Sequence, residues 1–182
     1  MEIKFTTDRL IIRQWEDKDY IDLYEYASDP VVTKYLHFQT YTDKNVATER
    51  INFLKNKYLE DNKTGEFAIE LKGENKVIGA INLSRDTFKA GGIIALGWVL
   101  NRNYQGHGYM TECVKETFKY IKRNNLAKRI RATHDKDNYK SGEVMKRVGM
   151  TFEGISRKAG ENNFHSRYDV VNYSILDEEI EL

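Results

Sequence analysis

The sequence is poor in cysteine, proline and long apolar runs, and neither charge predominates. Its one cysteine, Cys113, excludes an internal disulfide, and the lack of Cys/His clusters with zinc spacing leaves no metal site to predict. No apolar run approaches the roughly 20 residues that span a bilayer. With 29 basic and 28 acidic residues the net charge is +1, which argues against a nucleic-acid or membrane partner. Since no signal-peptide pattern opens the chain, we expect a protein of the reducing cytoplasm.

The composition is otherwise that of an ordinary globular protein. Hydrophobic residues make up 40% of the chain and charged residues 31%. A length of 182 residues suits one compact domain, and no internal repeat, linker or low-complexity segment divides residues 1–182. Strand-like and helical patterns alternate along the chain, so we expect a single α/β domain built on a mixed sheet.

Apolar periodicity predicts seven strands and four helices in the order β-α-α-β-β-β-α-β-α-β-β. The strands are predicted at about 10–15, 67–71, 77–83, 93–100, 129–133, 151–157 and 168–176. The helices are predicted at about 17–27, 43–60, 110–122 and 140–148, the first of them stopped by Asp29-Pro30. The second helix is expected to bury Val46, Ile51, Phe53, Leu54 and Tyr58. The third is expected to bury Met110, Cys113, Val114, Thr117, Phe118 and Ile121.

Two glycines, Gly106 and Gly108, lie between the strand that ends at Leu100 and the best-defined helix. A strand, a glycine turn and a helix start aim free backbone N–H groups at an anion, and glycine lets a phosphate approach closely because it has no Cβ. The spacing does not fit a dinucleotide fingerprint, since Thr111 occupies the third glycine position, and the Gly-Lys-Ser/Thr of a Walker loop is missing. The turn therefore predicts a phosphate-bearing small molecule of another class.

Three separated segments together resemble one family. Residues 103–112, Asn-Tyr-Gln-Gly-His-Gly-Tyr-Met-Thr-Glu, resemble the acyl-coenzyme A turn of the GNAT family of N-acetyltransferases. Residues 138–154 resemble its second signature, in which an Asn and a small residue open a helix. The start, Thr7-Asp-Arg-Leu-Ile-Ile-Arg13, resembles the branch of ribosomal-protein N-terminal acetyltransferases (RimJ/RimL-like). Asp29-Pro30 and Tyr168-Asp169 belong to the same pattern, so the resemblance extends from Thr7 to Leu176.

The resemblance implies a mixed, mostly antiparallel, twisted sheet in which a central pair of parallel strands splays apart to admit coenzyme A. The pantetheine arm would pair with the backbone from Trp98 to Leu100, and the pyrophosphate would bind the N–H groups from Gln105 to Met110. Asn138 would bind the arm near the thiol, and His107 would face solvent. The implied cofactor contacts are Trp98, Val99, Leu100, Asn103, Gln105, Gly106, His107, Gly108, Tyr109, Met110, Asn138, Ser141, Met145 and Lys146.

The chain departs from the family at three positions. Asn103 replaces a Gln or Arg, Ala95 stands where many members carry a catalytic Glu, and Met145 stands where many carry a Tyr acid. The RimL-like branch implies Ser141 as the acid for the departing thiolate, with Tyr139 or water as alternatives. The N–H of Val99 is the expected oxyanion donor. Glu161 is the expected base, and the alternatives are His134, Asp135, His165 or an ordered water.

These features predict an enzyme that transfers the acetyl group of acetyl-CoA to a primary amine by direct attack on the thioester. The acceptor is either a protein N-terminus or a small amine, and the residues do not separate these two classes. The missing catalytic positions keep a non-catalytic acyl-CoA-binding or sensing module as the alternative. Motif spacing disfavours a nucleotide-binding oxidoreductase, and the family resemblance also allows a homodimer.

Overall fold

The computed structural model describes residues 2–61, 63–85, 92–162 and 166–182, which form one mixed sheet flanked by helices. The sheet has eight strands in the order β1-β2-β3-β4-β5-β6-β8-β7. They are β1 (Ile3–Thr6), β2 (Leu10–Arg13), β3 (Gly65–Leu71), β4 (Lys76–Arg85), β5 (Ile93–Leu100), β6 (Arg129–Asp135), β7 (Thr151–Glu161) and β8 (Arg167–Leu176). The α-helices are α1 (Tyr20–Ala27), α2 (Pro30–Thr33), α3 (Lys44–Glu60), α4 (Tyr109–Arg123) and α5 (Tyr139–Arg147).

The centre of the sheet is a parallel pair. Among the described residues, every neighbouring pair of strands is antiparallel except β5 with β6. Helix α4 makes the crossover that parallel strands require. The expected α/β fold, a mostly antiparallel sheet with one central parallel pair, is confirmed.

Helix α4 packs the face that its periodicity predicts. All six of the expected residues (Met110, Cys113, Val114, Thr117, Phe118 and Ile121) are buried, together with Tyr120. Charged residues occupy the opposite face, so the helix lies against the sheet with its N-terminus held at a defined place. None of the helices in the described ranges is long and apolar enough to cross a membrane.

The sequence-based element list omits β1 and the short helix α2. Pro30 does follow the end of α1 at Ala27, but it also begins α2, because its fixed φ and missing N–H suit the first position of a helix. The side chain of Asp29 caps this helix by accepting a hydrogen bond from the Val31 N–H at 2.9 Å.

The expected apolar face of α3 is wrong at two positions. Val46 is 38% exposed and Phe53 is 50% exposed, whereas Ala47 takes part in the core beside Ile51, Leu54 and Tyr58. The Phe53 ring lies under two cations, Arg50 at 5.4 Å and Lys57 at 5.8 Å, which accounts for an aromatic residue at the surface.

A buried ion cluster ties the N-terminal elements together. Arg13 on β2 has no exposed surface, and it donates to Asp19 at 2.6 and 2.9 Å and to Glu70 on β3 at 2.6 Å. Asp19 ends the 3-10 turn that leads into α1. Since buried charges are tolerated only when paired, this cluster fixes α1 against the sheet.

Candidate active site

The parallel strands separate before either of them ends. Their pairing runs from Ile93–Arg129 to Leu96–Ala132 and stops there, although β5 continues to Leu100 and β6 to Asp135. Each strand keeps its antiparallel partner throughout, β4 for β5 and β8 for β6. A V-shaped cleft therefore opens at the carboxyl ends of the two strands, as the expected fold requires.

A cavity of about 130 Å³ occupies this cleft. Its lining combines the carboxyl ends of β5 and β6, the first turns of α5 and the segment after α2. The described residues that line it are Tyr35, Leu36, His37, Leu96, Gly97, Trp98, Thr133, His134, Asp135, Asn138, Ser141, Met145 and Tyr168. A larger hollow of about 390 Å³ lies between β1 and the C-terminal part of α4, but it contains none of the motif residues.

The register of β5 decides which backbone groups reach the cleft. At one end the carbonyl of Gly92 accepts from Lys128 on the β6 side at 2.8 Å, and at the other the N–H of Asn101 donates to Ile78 on the β4 side at 2.8 Å. Backbone groups alternate sides along a strand, and the β4–β5 register has no irregularity. The main-chain N–H and C=O groups of Trp98 and Leu100 therefore face the cleft.

Val99 faces the other way. A Cβ added to Gly79 on β4 would lie 2.3 Å from the Val99 carbonyl oxygen, which places that carbonyl on the β4 side. The expectation that the Val99 N–H binds the oxyanion, and that its backbone pairs with the cofactor, does not fit this register. The alternation of backbone groups along β5, anchored at both ends of the strand, gives the same direction for Val99.

The glycine turn leaves a run of backbone donors free. Gly106 and Gly108 have φ of +87° and +80°, which glycine adopts at no steric cost. Within the part of the chain that the structure describes, the N–H groups of residues 106–111 donate no hydrogen bond. We call these six N–H groups the phosphate cradle. They lie at the N-terminus of α4, where the helix dipole also favours an anion.

The cradle starts one residue later than the sequence predicts. The N–H of Gln105 donates to the Arg102 carbonyl at 3.3 Å, and the N–H of Asn103 is taken by the Asn101 side chain at 3.0 Å. The Gln105 side chain instead bridges the cleft, because its Nε2 donates to the Leu100 carbonyl at 3.1 Å and its Oε1 accepts from Lys140 Nζ on α5 at 3.1 Å. The side chains of Asn103 and His107 are exposed, as expected for His107.

Comparison with known proteins identifies this arrangement. The acetyltransferase (GNAT) domain family matches residues 9–151. The chain belongs to the GNAT acetyltransferase family. As a member it is an N-acetyltransferase with acetyl-CoA as the acetyl donor.

The relatives of this GNAT domain cover nearly all of the chain. An uncharacterised N-acetyltransferase of Bacillus subtilis, YnaD, is 35% identical over 96% of this chain and 97% of its own length. The ribosomal protein uS5-alanine N-acetyltransferase of Escherichia coli is 25% identical over 86% of this chain and 82% of its own. The crystal structure of a GNAT acetyltransferase from Bacillus anthracis superposes with a TM-score of 0.83, at 31% identity, over 98% of this chain and 100% of that one.

The second GNAT signature forms the wall of the cavity opposite β5. Asn138 stands at the N-cap position of α5 without a capping hydrogen bond from its side chain, and its N–H donates to the Asp135 carbonyl at 2.8 Å. Ser141 lies in the first turn and lines the cavity, and its hydroxyl has no partner among the described residues. Met145 is buried in the same wall. Lys146 points away, is exposed and pairs with Glu143 at 2.9 Å.

The structure separates the four base candidates. His134 and Asp135 line the cavity, whereas Glu161 is exposed at the end of β7 and is not among the described lining residues. His165 lies outside the described residues. His134 Nδ1 is 2.7 Å from the Asp135 carbonyl oxygen, which can only accept, so the proton is on Nδ1 and the lone pair of the neutral ring is on Nε2.

The His134 ring packs tightly against α5. A Cβ added to Gly142, the residue after Ser141, would be 2.7 Å from His134 Nε2, so a larger residue there would force this ring to move. The ring also stacks on Tyr173 with centroids 6.0 Å apart. His134 and the Ser141 turn are thereby held as one unit.

Seven of the lining residues were not named for the site by sequence reasoning: Tyr35, Leu36, His37, Leu96, Gly97, Thr133 and Tyr168. Tyr35, Leu36 and His37 come from the segment after α2, and the Tyr35 hydroxyl donates to the Asp137 carbonyl at 3.4 Å across the cleft. Tyr168 comes from β8, and burial, with the nearby charge of Asp135, raises the pKa of its phenol. Tyr168 belongs to the family pattern but received no role there, and no local pattern marks Tyr35, Leu36 or His37, since these residues meet Tyr168 only when β8 and the α2–α3 segment converge.

One acid alternative from the sequence loses support, and the expected burial of Cys113 is confirmed. Tyr139, considered as an acid, is 68% exposed and does not belong to the described cavity lining. Cys113 is fully buried, and burial raises the pKa of its thiol to about 12, so it stays a neutral packing residue. The described residues contain no group of three His, Cys, Asp or Glu side chains that could hold a metal ion.

Proposed function

We propose that this enzyme binds acetyl-CoA in the β5–β6 cleft and transfers its acetyl group to a primary amine that attacks the thioester directly. The observation that carries the proposal is the phosphate cradle, six unpaired N–H groups at the head of α4 beside the cleft mouth. A pyrophosphate supplies the acceptors that these donors lack. The cleft then leads from the cradle toward Ser141 and His134.

In this proposal, acetyl-CoA is bound by backbone groups more than by side chains. The pantetheine amides pair with the cleft-facing backbone of Trp98 and Leu100, which extends β5 as an added strand would. Asn138, Ser141 and Met145 contact the arm near the thiol. Lys140, held beside the cradle by Gln105, adds a positive charge to the phosphate site. Tyr109 and Met110 contribute their backbone N–H groups as members of the cradle.

The chemistry requires three proton transfers. The acceptor ammonium must lose one proton before its nitrogen attacks the thioester carbon, and it loses a second as the amide forms. The departing thiolate takes one, so one proton leaves the site in each turnover. We assign the first proton of the ammonium to Nε2 of His134 through water, since this nitrogen lies against Gly142. Ser141 gives its proton to the thiolate and regains one when the amine nitrogen loses its second proton. The N–H of Trp98, which lines the same cavity as Ser141, is assigned to the developing oxyanion, and the N–H of Leu100 is left to the pantetheine arm.

The acceptor in this proposal is the α-amino group of a protein, and a small amine is the alternative. The Escherichia coli relative is named for acetylating an alanine of ribosomal protein uS5. Tyr35, Leu36, His37 and Tyr168 form an aromatic and apolar entrance, which suits a peptide N-terminus better than a polycation. A cytoplasmic location follows from such a substrate.

A panel of peptides and small amines tests the proposal. Each would be incubated with acetyl-CoA and the enzyme while free thiol is followed, and coenzyme A binding would be measured separately by calorimetry. Turnover that depends on a peptide N-terminus supports the proposal, and turnover on small amines alone would overturn the choice of acceptor. Binding of coenzyme A without turnover on any amine would instead favour the sensing module.

A further inference from the structure

The segment before β2 binds the start of α4 through hydrogen bonds and an ion pair. Thr7 Oγ1 donates to Oε1 of Glu112 at 2.5 Å, and the Arg9 N–H donates to the same oxygen at 3.1 Å. The Arg9 guanidinium holds the other carboxylate oxygen, through Nε at 2.7 Å and a terminal nitrogen at 2.5 Å. Glu112 is the fourth residue of α4, so this pair ties the head of the helix to the N-terminal segment.

The same guanidinium reaches into the phosphate cradle. Its other terminal nitrogen donates to the His107 carbonyl at 3.0 Å, and its plane lies 4.5 Å from the centre of the Tyr109 ring. Arg9 is therefore in contact with both ends of the Gly108 turn. These contacts join residues about 100 positions apart, and the Arg9 side chain is still 45% exposed.

A hydrogen bond that fixes the carbonyl of one residue also fixes the direction of the N–H of the residue that follows. In a trans peptide the C=O of one residue and the N–H of the next point in opposite directions. The hydrogen bond from Arg9 to the His107 carbonyl thus turns the Gly108 N–H away from Arg9, toward the open side of the turn. Without that bond, the peptide between His107 and Gly108 is free to rotate, because glycine tolerates many backbone conformations.

Arg9 also offsets the electrostatic repulsion between Glu112 and a bound pyrophosphate. Glu112 places a carboxylate within one turn of the cradle, where it would repel a pyrophosphate. Burial would raise the pKa of Glu112, but the hydrogen bonds from Thr7 and Arg9 outweigh burial and lower it, so the carboxylate is charged at neutral pH. The guanidinium compensates this charge at contact distance.

We propose that Arg9 is the positioning residue of the phosphate cradle: by holding the His107 carbonyl and neutralising Glu112, it keeps the N–H groups of the turn directed at the pyrophosphate of acetyl-CoA. This inference rests on the proposed function. It adds a role for the Thr7-x-Arg9 segment, which lies apart from the cleft in sequence and shares no cavity-lining residue with it.

An acetyl donor without phosphates distinguishes a role of Arg9 in positioning the cradle from a general loss of enzyme activity. Arg9→Gln should raise the KM for acetyl-CoA and the Kd for coenzyme A about tenfold, with kcat within about twofold. With S-acetylpantetheine, which lacks the pyrophosphate, kcat/KM of Arg9→Gln should equal that of the wild type. Arg9→Lys keeps the charge but loses the forked contacts, so it should restore only part of the affinity.

The matched control is Arg123→Gln. Arg123 forms an ion pair with Glu116 at 2.8 Å at the opposite end of the same helix, so it loses the same charge far from the cradle. It should leave the coenzyme A affinity unchanged. An equal loss with both donors in Arg9→Gln, or an unchanged Kd for coenzyme A, would overturn the role of Arg9. A wild-type protein that fails to bind coenzyme A would overturn the proposed function as well.

Discussion

At the scale of single residues, the site depends on positions that glycine occupies without backbone strain or steric conflict. Gly106 has a left-handed backbone, and a Cβ there would meet no protein atom within 4 Å. The space in front of it is therefore open, as the proposed phosphate site requires. Gly142 is the opposite case, because the His134 ring occupies the space that a Cβ at this position would need.

Gly106→Ala should weaken coenzyme A binding at least about tenfold, because the methyl group enters the phosphate site and the left-handed backbone is strained by about 1 kcal/mol. Gly73→Ala in the β3–β4 turn is the matched control, since Gly73 has φ of +83° and equally open surroundings. Both variants should lose similar stability in urea unfolding. Equal coenzyme A affinities for the two variants, measured by calorimetry, would show that the cradle is misplaced.

Ser141→Ala should lower kcat about 100-fold or more while the Kd for coenzyme A changes by less than about twofold, because the proton transfer occurs only as the thiolate departs and the Ser141 hydroxyl is one of many contacts to the donor. Steady-state thiol release and calorimetry measure the two quantities. Ser28→Ala, which removes an exposed hydroxyl after α1, serves as the control. Full activity in Ser141→Ala would leave the thiolate's proton to water.

At the scale of elements, strand register and helix packing place the chemistry. Sequence patterns identified β5, α4 and α5 and the buried face of α4, because periodicity depends on nearest neighbours along the chain. They did not identify β1 or the exposure of Phe53, because these depend on which neighbour the element meets. The direction of the Val99 backbone groups also depends on a neighbouring element, since it follows from pairing with β4.

The Arg13 cluster links β2, β3 and the turn before α1, so Glu70→Gln should destabilise the whole domain. Removing one partner leaves part of a buried charge uncompensated, which costs about 3 kcal/mol of unfolding free energy. Glu60→Gln, which breaks the exposed Lys57–Glu60 pair on α3, should cost less than about 1 kcal/mol. Urea unfolding of both variants provides the comparison, and similar costs would mean that the buried cluster contributes no more than a surface pair.

At the scale of the whole molecule, ion pairs between distant elements make stability depend on pH. A hydrogen bond from Lys76 lowers the pKa of Glu25, although burial opposes it. At Asp61 burial acts to raise the pKa, but hydrogen bonds from Thr64, Lys63 and Arg85 outweigh it and the pKa is lowered. In both cases the folded form binds protons less readily than the unfolded chain does.

The free energy of unfolding should therefore be fully retained above about pH 5 and fall as the pH drops through the lowered pKa values of the folded state. The summed loss between pH 7 and pH 3 should be about 1 to 2 kcal/mol, because these groups are partly exposed and solvent screens them. Urea unfolding at a series of pH values measures it. Asp61→Asn should reduce the slope, and a flat profile for the wild type would contradict this account.

What the sequence determined by itself is local: the amphipathic face of α4, the glycine turn before it and the order of the strands and helices other than β1 and α2. Each depends on residues within a few positions of one another, and three such motifs in order were enough to indicate the family. The tertiary structure decided what is non-local. It brought His134 and Tyr168 to the cavity, left Glu161 outside its described lining, turned Val99 toward β4 and placed Arg9 on a turn about 100 residues away. The physical reason is that strand pairing and side-chain packing join residues whose separation along the chain carries no periodic signal.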